Sequence, residues 1–564
     1  MRFEMHVESV PQESRMTGVD RRVILPIRTS DLLMIPSMQS EDPSPSELIA
    51  ARRAKLARLR GELQVEPYGE RVDGRISLQA ARALFDEASH AAHSAAVAAA
   101  KLAPGTPIAD TRPQVRVTGR VIQHRDMGKI LFVGLRDATG DLQVSVSKAD
   151  LAANDFEIAK ALDYGDIIAV DGRVGRTQKG ETCIWAGGLS IHAKNLEPPP
   201  SKWHGLENAE LRYRRRYVDM FSNPQTIRTF EARSRIVSTM RKFMEARGFL
   251  EVETPMMHPV AGGAAARPFT TTHNALGMPL FLRVAPELYL KKLIVGGLPK
   301  VFEINRNFRN EGVDRSHNPE FTAMEAYEAF GDYQTMLEMT ESLVHHCACE
   351  AIAQGWNARG EAGPLLPWGE IRVDYRRPFV QVRFGELFEG GVGCSMHDRD
   401  KVRAAAVAAH LASPTTRDHW LLVNDLFERQ AEKLIDPARP TFVLDYPSAL
   451  SPLTRPSRSN PDIAERWDLF IGGMEIGPAY SELNDPDIQL AKFTDQLKGA
   501  DEEESTFRSL DEDFITALRT GMPPAGGMGL GVDRLVMLLT DSASIRDVIL
   551  FPLMRPEGST DAAT

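Results

Sequence analysis

The chain has 564 residues, 43% of them hydrophobic and 26% charged, with a formal net charge of −10; that length predicts two to four domains of roughly 150 residues each, and the acidic balance leaves any nucleic-acid contact to local basic patches rather than to the overall field. Its four cysteines, Cys183, Cys347, Cys349 and Cys394, have no disulfide-framework spacing and fit a reducing compartment. No signal-peptide pattern and no apolar run of about 18 residues occurs, so no membrane partner is expected and the expected location is cytoplasmic.

Residues 1–43 have scattered apolar positions and no sustained period; they read as an extension without assigned structure, compatible with disorder. Residues 44–108 read as a helical segment. Ser44-Pro45-Ser46-Glu47 has capping-box spacing with proline at the first helical position, and Leu48, Leu56, Leu59 and Leu63 follow on one face. The basic flank of Arg53, Lys55, Arg58 and Arg60 reads either as a solvated face or as one that touches RNA. Ser77 to Lys101 predicts a second, alanine-rich helix.

Over residues 109–197 the period changes to short alternating runs, "VRVTGRVIQH", "ILFVGLRD", "LQVSVS", "DIIAVDGRVGRT" and "CIWAGGLSIHA", broken by Asp-Met-Gly, Ala-Thr-Gly-Asp and Gln-Lys-Gly turns. Five such strands predict a small closed barrel. Residues 198–222 read as linker and hinge. "LEPPPSKWHG" (Leu196–Gly205) is a stiff proline linker, and "ELRYRRRYVDM" sets Arg212, Arg214, Arg215 and Arg216 between Tyr213 and Tyr217, either as a structural helix or as a phosphate contact. From 223 to 558, with a helical insertion near 384–438, the strands are too widely separated for a repeated βαβ pattern. The fold class is therefore α+β: a barrel, then an antiparallel sheet flanked by helices.

Three stretches carry chemistry. "VFEINRNFRNEGVDRSHNPEF" (Val301–Phe321) reads strand, polar bend, strand, with Arg306, Arg309, Glu311, Asp314, Arg315 and His317 around the bend. Arg309 and Glu311 are expected on one face of a strand. There the arginine can fork onto a phosphate while the carboxylate accepts from an amine or hydroxyl, and Phe321 is placed as an aromatic floor. The competing reading is a cross-strand ladder of salt bridges on a wet sheet face. "RWDLFIGGMEIGPAYSELND" carries Asp468, Glu475 and Glu482, which repel one another unless a divalent cation or a cationic substrate lies among them. "GGMGLGVDRLVMLLT" is a glycine-rich turn into an apolar helix, with Arg534 in its first turn, an odd place for a cation unless an anion is bound. Together they describe a site for a Mg-bound nucleoside triphosphate without a P-loop, since no G-x-x-x-x-G-K-[ST] occurs. In "HHCACE" (His345–Glu350), Cys347 falls on the apolar stripe of Thr340, Leu343 and Val344, which favours a core cysteine over a zinc ligand.

These blocks resemble the motifs of class II aminoacyl-tRNA synthetases: "GFLEVETPMM" (Gly248–Met257) is similar to motif 1, the family's dimer interface, "FRNEGVDRSHNPEF" to motif 2 and "GMGLGVDRLVMLL" to motif 3. "GGAAARPF", "LRVAPELYLKKLIVGG", "SELND" and "IRDVILFP" narrow the likeness to lysyl-tRNA synthetases of bacterial type, over roughly Arg112 to Pro556, with weaker agreement between Phe379 and Pro440. The barrel then resembles that family's OB-fold anticodon-binding domain. The resemblance implies a homodimer that ligates L-lysine to tRNA(Lys), with ATP as co-substrate, more than one Mg²⁺ per site and a lysyl-adenylate intermediate.

Roles are implied residue by residue. Arg309 and Arg534 would be catalytic, Arg309 on the α-phosphate and Arg534 with His317 on the outer phosphates. Glu311 and Asn318 would read the adenine edge, Phe321 would stack on the base, and Gly529 and Gly531 would let the backbone approach ATP. Asp468 and Glu475 match the Mg²⁺ positions. For lysine, Glu287 would face the α-amino group, Glu482 and Tyr327 the ε-ammonium, Glu325 would support Tyr327, and Tyr480 and Gly263 complete the set. In the barrel, Phe132, Gln143 and Glu181 match residues that read a uracil-rich anticodon. Two positions depart from the pattern: Pro478 stands where many lysyl enzymes have asparagine, and Asp468 replaces the more usual glutamate. The alternatives are an aspartyl or asparaginyl synthetase, whose pocket would need arginine or lysine where this chain has Glu325 and Glu482, and a non-catalytic RNA-binding paralogue, against which Arg309, Glu475 and Arg534 all stand.

Overall fold

Helix α1 (Pro45–Gly61) begins at the capping box: Ser44 Oγ accepts from the Glu47 amide while the Glu47 carboxylate accepts from the Ser44 amide. The computed structural model describes residues 44–103, 108–198, 206, 208–263, 266–356, 363–498 and 510–557. The extension 1–43 and residues 199–205 of the proline linker lie outside the described residues. Leu59 is fully buried and Leu48, Leu56 and Leu63 partly so. The basic flank is largely spoken for by acids, with Lys55 on Asp163 at 2.6 Å, Arg58 on Glu157 at 2.9 Å and Arg60 on Glu66 at 2.9 Å. Arg52, next to this flank, anchors the helix by donating to the carbonyls of Tyr164, Asn195 and Glu197.

The single helix expected over Ser77–Lys101 is two, α2 (Leu78–Ala83) and α3 (Glu87–Leu102). Asp86 is the reason. Its carboxylate accepts from the Ser89 amide at 2.8 Å and so caps a new helix instead of continuing the old one.

Five strands close a barrel in the order β1-β2-β3-β5-β4: β1 (Gln114–Asp126), β2 (Ile130–Asp137), β3 (Gly140–Ser147), β4 (Ile167–Arg176) and β5 (Thr182–Ala193). Alternate residues, among them Val117, Leu131, Val133, Val144, Ile168 and Val170, point inward and are buried. The turn at Asp126-Met127-Gly128 needs a left-handed residue, and Gly128 supplies it with φ +84°. A helix, α4 (Ala153–Ala161), packs on the barrel core through Phe156 and Ile158.

Beyond the linker come α5 (Ala209–Arg214) and α6 (Arg216–Ser222). Three of the four arginines have acidic partners here: Arg212 and Arg216 both pair with buried Asp219 at 3.0 Å, and Arg214 pairs with Glu210 at 2.7 Å.

The second domain is built on one eight-stranded sheet. In chain order its strands are β6 (Leu250–Glu251), β10 (Lys300–Phe308), β11 (Glu320–Ala329), β14 (Val380–Arg383), β15 (Thr441–Leu444), β16 (Arg466–Ile471), β17 (Met474–Ser481) and β18 (Ala525–Gly531). Intervening strands β7 (Met257–His258), β8 (Thr270–His273) and β9 (Met278–Leu282) make a separate three-stranded sheet, and β12 (Leu365–Trp368) and β13 (Ile371–Asp374) a hairpin. The large sheet runs β14-β15-β16-β17-β18-β11-β10-β6. Its inner pairings are antiparallel as expected, but both outer pairs, β14 with β15 and β6 with β10, are parallel. A parallel pair needs a long crossover, and between β14 and β15 that crossover is the helical run over 384–434, which has its own apolar core of Phe384, Phe388, Leu422 and Phe427.

On one face of the sheet, Phe302, Met324, Ala326, Met528 and Leu530 meet α7 (Pro224–Glu245), α9 (Tyr333–Ala353) and the helix Val532–Thr540 in the main core. Cys347 is fully buried there, as its stripe predicts. The residues between them, Asn305, Asn307, Ala323, Glu325, Tyr327, Gly527, Gly529 and Gly531, face the other way. No helix among the described residues is long and apolar enough to cross a membrane.

Candidate active site

The polar sheet face is the floor of an open cleft lined by residues from β10, β11, β17, β18 and the polar bend. Strand register aligns the floor: Glu325 lies opposite Gly529 and Tyr327 opposite Gly527. The two glycines do different things. A Cβ at Gly527 would lie 2.1 Å from Glu482 Oε1 and 2.4 Å from the Tyr327 ring, so glycine there makes room for two side chains. At Gly529 nothing comes nearer than 3.9 Å, which leaves bare backbone facing the cleft, and Gly531 lines it as well. On β17 a bulge does the aiming. Asp468 pairs with Pro478 and Phe470 with Glu475, so Ile476 is the extra residue that turns Glu475 onto the same face as Pro478 and Tyr480.

At the polar bend, β10 stops at Phe308, so Arg309 and Glu311 lie in the loop that follows and not on a strand as the alternation suggests. Pro319 cannot return an N–H to the ladder. The chain therefore turns away, with Asn310 N donating to Arg267 O at 2.8 Å. Glu311 sits exposed at the cleft rim, while Asn318 is buried, donating to Glu320 O at 2.6 Å and leaving its Oδ1 without a hydrogen-bond partner. Arg309 lies over the Phe321 ring, 5.1 Å from its centroid, and its buried Nε has no hydrogen-bond partner among the described residues. The ladder reading is met at Arg306 and Glu320, 3.8 Å apart. Asp314 organises the tip by accepting from the amides of Ser316 and His317 and from His317 Nδ1; burial opposes its ionisation, but these bonds outweigh it and hold its pKa down at about 2. His317 Nε2 then meets Arg534 Nη2 at 3.1 Å, and Arg534 Nη1 donates to Glu475 O at 2.6 Å. Arg309, His317 and Arg534 thus converge on one wall of the cleft.

Carboxylates dominate the other end. Glu287, first residue of α8 (Glu287–Val295), lines the cleft with Glu325, Tyr327, Tyr480 and Gly263. Tyr327 donates to Glu325 at 3.2 Å. Burial, reinforced by the Glu287 charge, pushes the Glu325 pKa up to about 8. Glu482 does not line the cleft. It is fully buried behind the wall, its carboxylate in an ion pair with the Lys291 ammonium at 2.5 Å, while Lys291 donates a hydrogen bond to Glu287 at 2.6 Å. Burial raises Glu482 to about 8 despite that partner. Lys291 is the group that the sequence reading passed over. Its signal was the i,i+4 spacing from Glu287 inside "PELYLKK".

Of the two carboxylates matched to Mg²⁺, Glu475 opens onto the cleft, and burial with the nearby Asp468 charge raises its pKa. Asp468 is buried off the cleft, with both oxygens accepting from Arg466 at 2.9 and 2.7 Å. A cation fits the chemistry of Glu475; at Asp468 it would compete with Arg466, another residue the sequence did not single out. Pro478 lines the cleft beside Gly529, with no amide to offer.

In the barrel, Phe132 pairs with Ser145, two residues beyond Gln143, and Gln143 pairs with Cys183, two residues beyond Glu181. The alternation therefore brings Phe132, Gln143 and Glu181 to one face of neighbouring strands, the first two half-buried and the last exposed.

Residues 208–555 match the family of tRNA synthetases class II (D, K and N), and residues 115–199 match the OB-fold nucleic acid binding domain. The lysine–tRNA ligase of Carboxydothermus hydrogenoformans is 45% identical over 515 residues, which is 91% of this chain and 98% of that protein. Those of Pelotomaculum thermopropionicum and Bordetella bronchiseptica are 44% and 43% identical, covering 91% and 92% of this chain and 95% and 100% of their own. With an OB-fold barrel followed by a class II catalytic domain, the chain belongs to the lysine–tRNA ligase family of class II aminoacyl-tRNA synthetases.

Proposed function

We propose that this enzyme activates L-lysine with ATP and transfers it to tRNA(Lys). The observation that carries this reading is the pairing, in one cleft, of an anion-binding wall (Arg309, His317, Arg534) with a carboxylate-lined end (Glu287, Glu325, backed by Glu482) suited to a substrate with two ammonium groups. An aspartate or asparagine side chain would meet Glu325 there instead of an arginine.

The lysine carboxylate attacks the α-phosphorus, Arg309 stabilises the charge that develops on the phosphoryl oxygens, and His317 with Arg534 holds the departing pyrophosphate. Phe321 stacks on adenine, Glu311 and Asn318 hold its edge, and Gly529 and Gly531 let ATP lie against β18. Mg²⁺ fits at Glu475, with Asp468 and Arg466 behind it, and when bound it supplies charge neutralisation to the phosphates. A terminal ribose hydroxyl of the tRNA then attacks the lysyl carbonyl, forming the ester as AMP leaves. Exposed Leu250, Met256 and Met257 in the motif 1 segment offer an apolar surface for a homodimer, and the free cysteines suit the cytoplasm.

Replacing Phe132 with alanine tests the division of labour. It should weaken tRNA charging by the loss of a stacking contact of about 1–3 kcal/mol, while tRNA-independent pyrophosphate exchange stays nearly intact. Equal loss in both assays would contradict it.

A pH profile tests the carboxylate end. Glu325, pushed by burial to about 8, holds a proton in the folded protein that it loses near 4.5 when unfolded. Stability of the free enzyme should therefore fall as pH rises through that window. Lysine binding, which needs this group charged, should release a proton at pH 7 and tighten toward pH 8. A lysine KM independent of pH, with no buffer-dependent binding enthalpy, would remove Glu325 from the substrate site.

A further inference from the structure

The lysine reading gives Glu287 the substrate's α-amino group and Glu482 its ε-ammonium, yet in the structure both carboxylates already share a cation. Lys291 is fully buried, one turn along α8 from Glu287 and in contact with Glu482 across the pocket wall, at 2.6 and 2.5 Å. A buried ammonium with two carboxylates in contact is too strongly held to be an incidental surface pair. The Glu482 end of this pair is closely packed, since a Cβ added at Gly527 would meet both Glu482 Oε1 and the Tyr327 ring, at 2.1 and 2.4 Å.

We propose that Lys291 is a positioning residue that ties Glu287 to Glu482, fixing the separation between the two ammonium sites and so selecting the length of the diamino-acid substrate. Without this tie, Glu287, which lines the cleft, is free to change rotamer, and Glu482 has no cation holding it against the wall. A shorter diamino acid such as ornithine, lacking one methylene, is then rejected less well. Sites that discriminate by one methylene reach about 10–200-fold, so the range available to lose is measurable.

This inference rests on the reading of the pocket as a lysine site, and the test separates the two. Pyrophosphate exchange is measured with lysine and with ornithine for the parent, Lys291→Met, Glu482→Gln and the double variant, along with ATP KM and thermal melting. Lysine-dependent exchange by the parent is the control on the pocket reading; its absence would sink both ideas. For Lys291→Met the expected result is a lysine KM raised about tenfold or more, ATP KM within about twofold of the parent, and preference for lysine over ornithine lowered at least about fivefold. The double variant should be little worse than Glu482→Gln alone, as partners in one network are non-additive. It also removes both charges, so it reads the discrimination even if Lys291→Met does not fold. Unchanged lysine/ornithine preference in the folded variants, or lysine and ATP KM rising in parallel, would overturn the proposal and leave Lys291 with a merely structural role.

Discussion

Arg309→Ala is expected to lower lysine-dependent pyrophosphate exchange by about 10² or more, the scale of losing one preorganised donor aimed at developing charge. Two observations make Arg309 the most exposed point of the site. Among the described residues its buried Nε has no hydrogen-bond partner, so the group is desolvated in readiness for an anion, and its guanidinium lies over the Phe321 ring 5.1 Å away. If Arg309 holds the α-phosphate as proposed, removing it forfeits that contact and very little of the fold. The melting temperature should therefore stay close to that of the parent. A near-normal exchange rate, or a large loss of stability with proportionate loss of rate, would take Arg309 out of the chemistry.

Glu482→Gln is the second large effect, and the structure narrows what it should be. From sequence, Glu482 could serve either the substrate's ε-ammonium or a metal beside Glu475. In the structure its charged neighbours are Lys291 and Glu287, and Glu475 is not among them. Truncating one partner of a buried charge pair typically costs about 2–5 kcal/mol, much of it from the charge left behind, which here is a fully buried lysine. A lysine KM raised about thirtyfold or more is expected, with ATP KM and the Mg²⁺ requirement nearly unchanged. Titrating lysine, ATP and Mg²⁺ separately decides it: a defect confined to ATP and Mg²⁺ would assign this glutamate to the metal after all.

Much of the architecture is legible in local pattern. The barrel strands carry buried apolar residues at alternate positions, most regularly along β1, and the β1–β2 turn carries the glycine it needs, so periodicity and turn chemistry agree there. The capping box at Ser44 is equally local. Where expectation and structure part, a longer-range or competing bond is responsible. Asp86 splits an alanine-rich run because its carboxylate is a better cap than a mid-helix residue. Arg309 leaves the strand because Pro319 ends the ladder one residue early. The parallel outer pairs of the large sheet depend on which strands a crossover brings side by side, and alternation within a strand is silent about that.

The site divides the same way. Residues that line the cleft, such as Glu287, Glu325, Tyr327 and Arg534, sit in blocks whose resemblance to the family is close. The groups that hold them are one layer further back and belong to no motif by chemistry alone. Lys291 reads as one more lysine in a basic doublet, and Arg466 as a strand-end arginine, until packing shows the first between two glutamates and the second on both oxygens of Asp468. Similarly, the β17 bulge that turns Glu475 onto the cleft face shifts the parity by a single residue, and a period-two reading assigns that residue to the wrong side.

The most direct test of the central claim is ATP–pyrophosphate exchange with the purified enzyme across the twenty amino acids, with Mg²⁺ present and after its removal by a chelator. A carboxylate-lined pocket in the same cleft as Arg309, His317 and Arg534 predicts exchange that depends on lysine, is negligible with aspartate and asparagine, and is lost when the metal is removed. Exchange with aspartate or asparagine equal to that with lysine, or no amino-acid-dependent exchange at all, would contradict it.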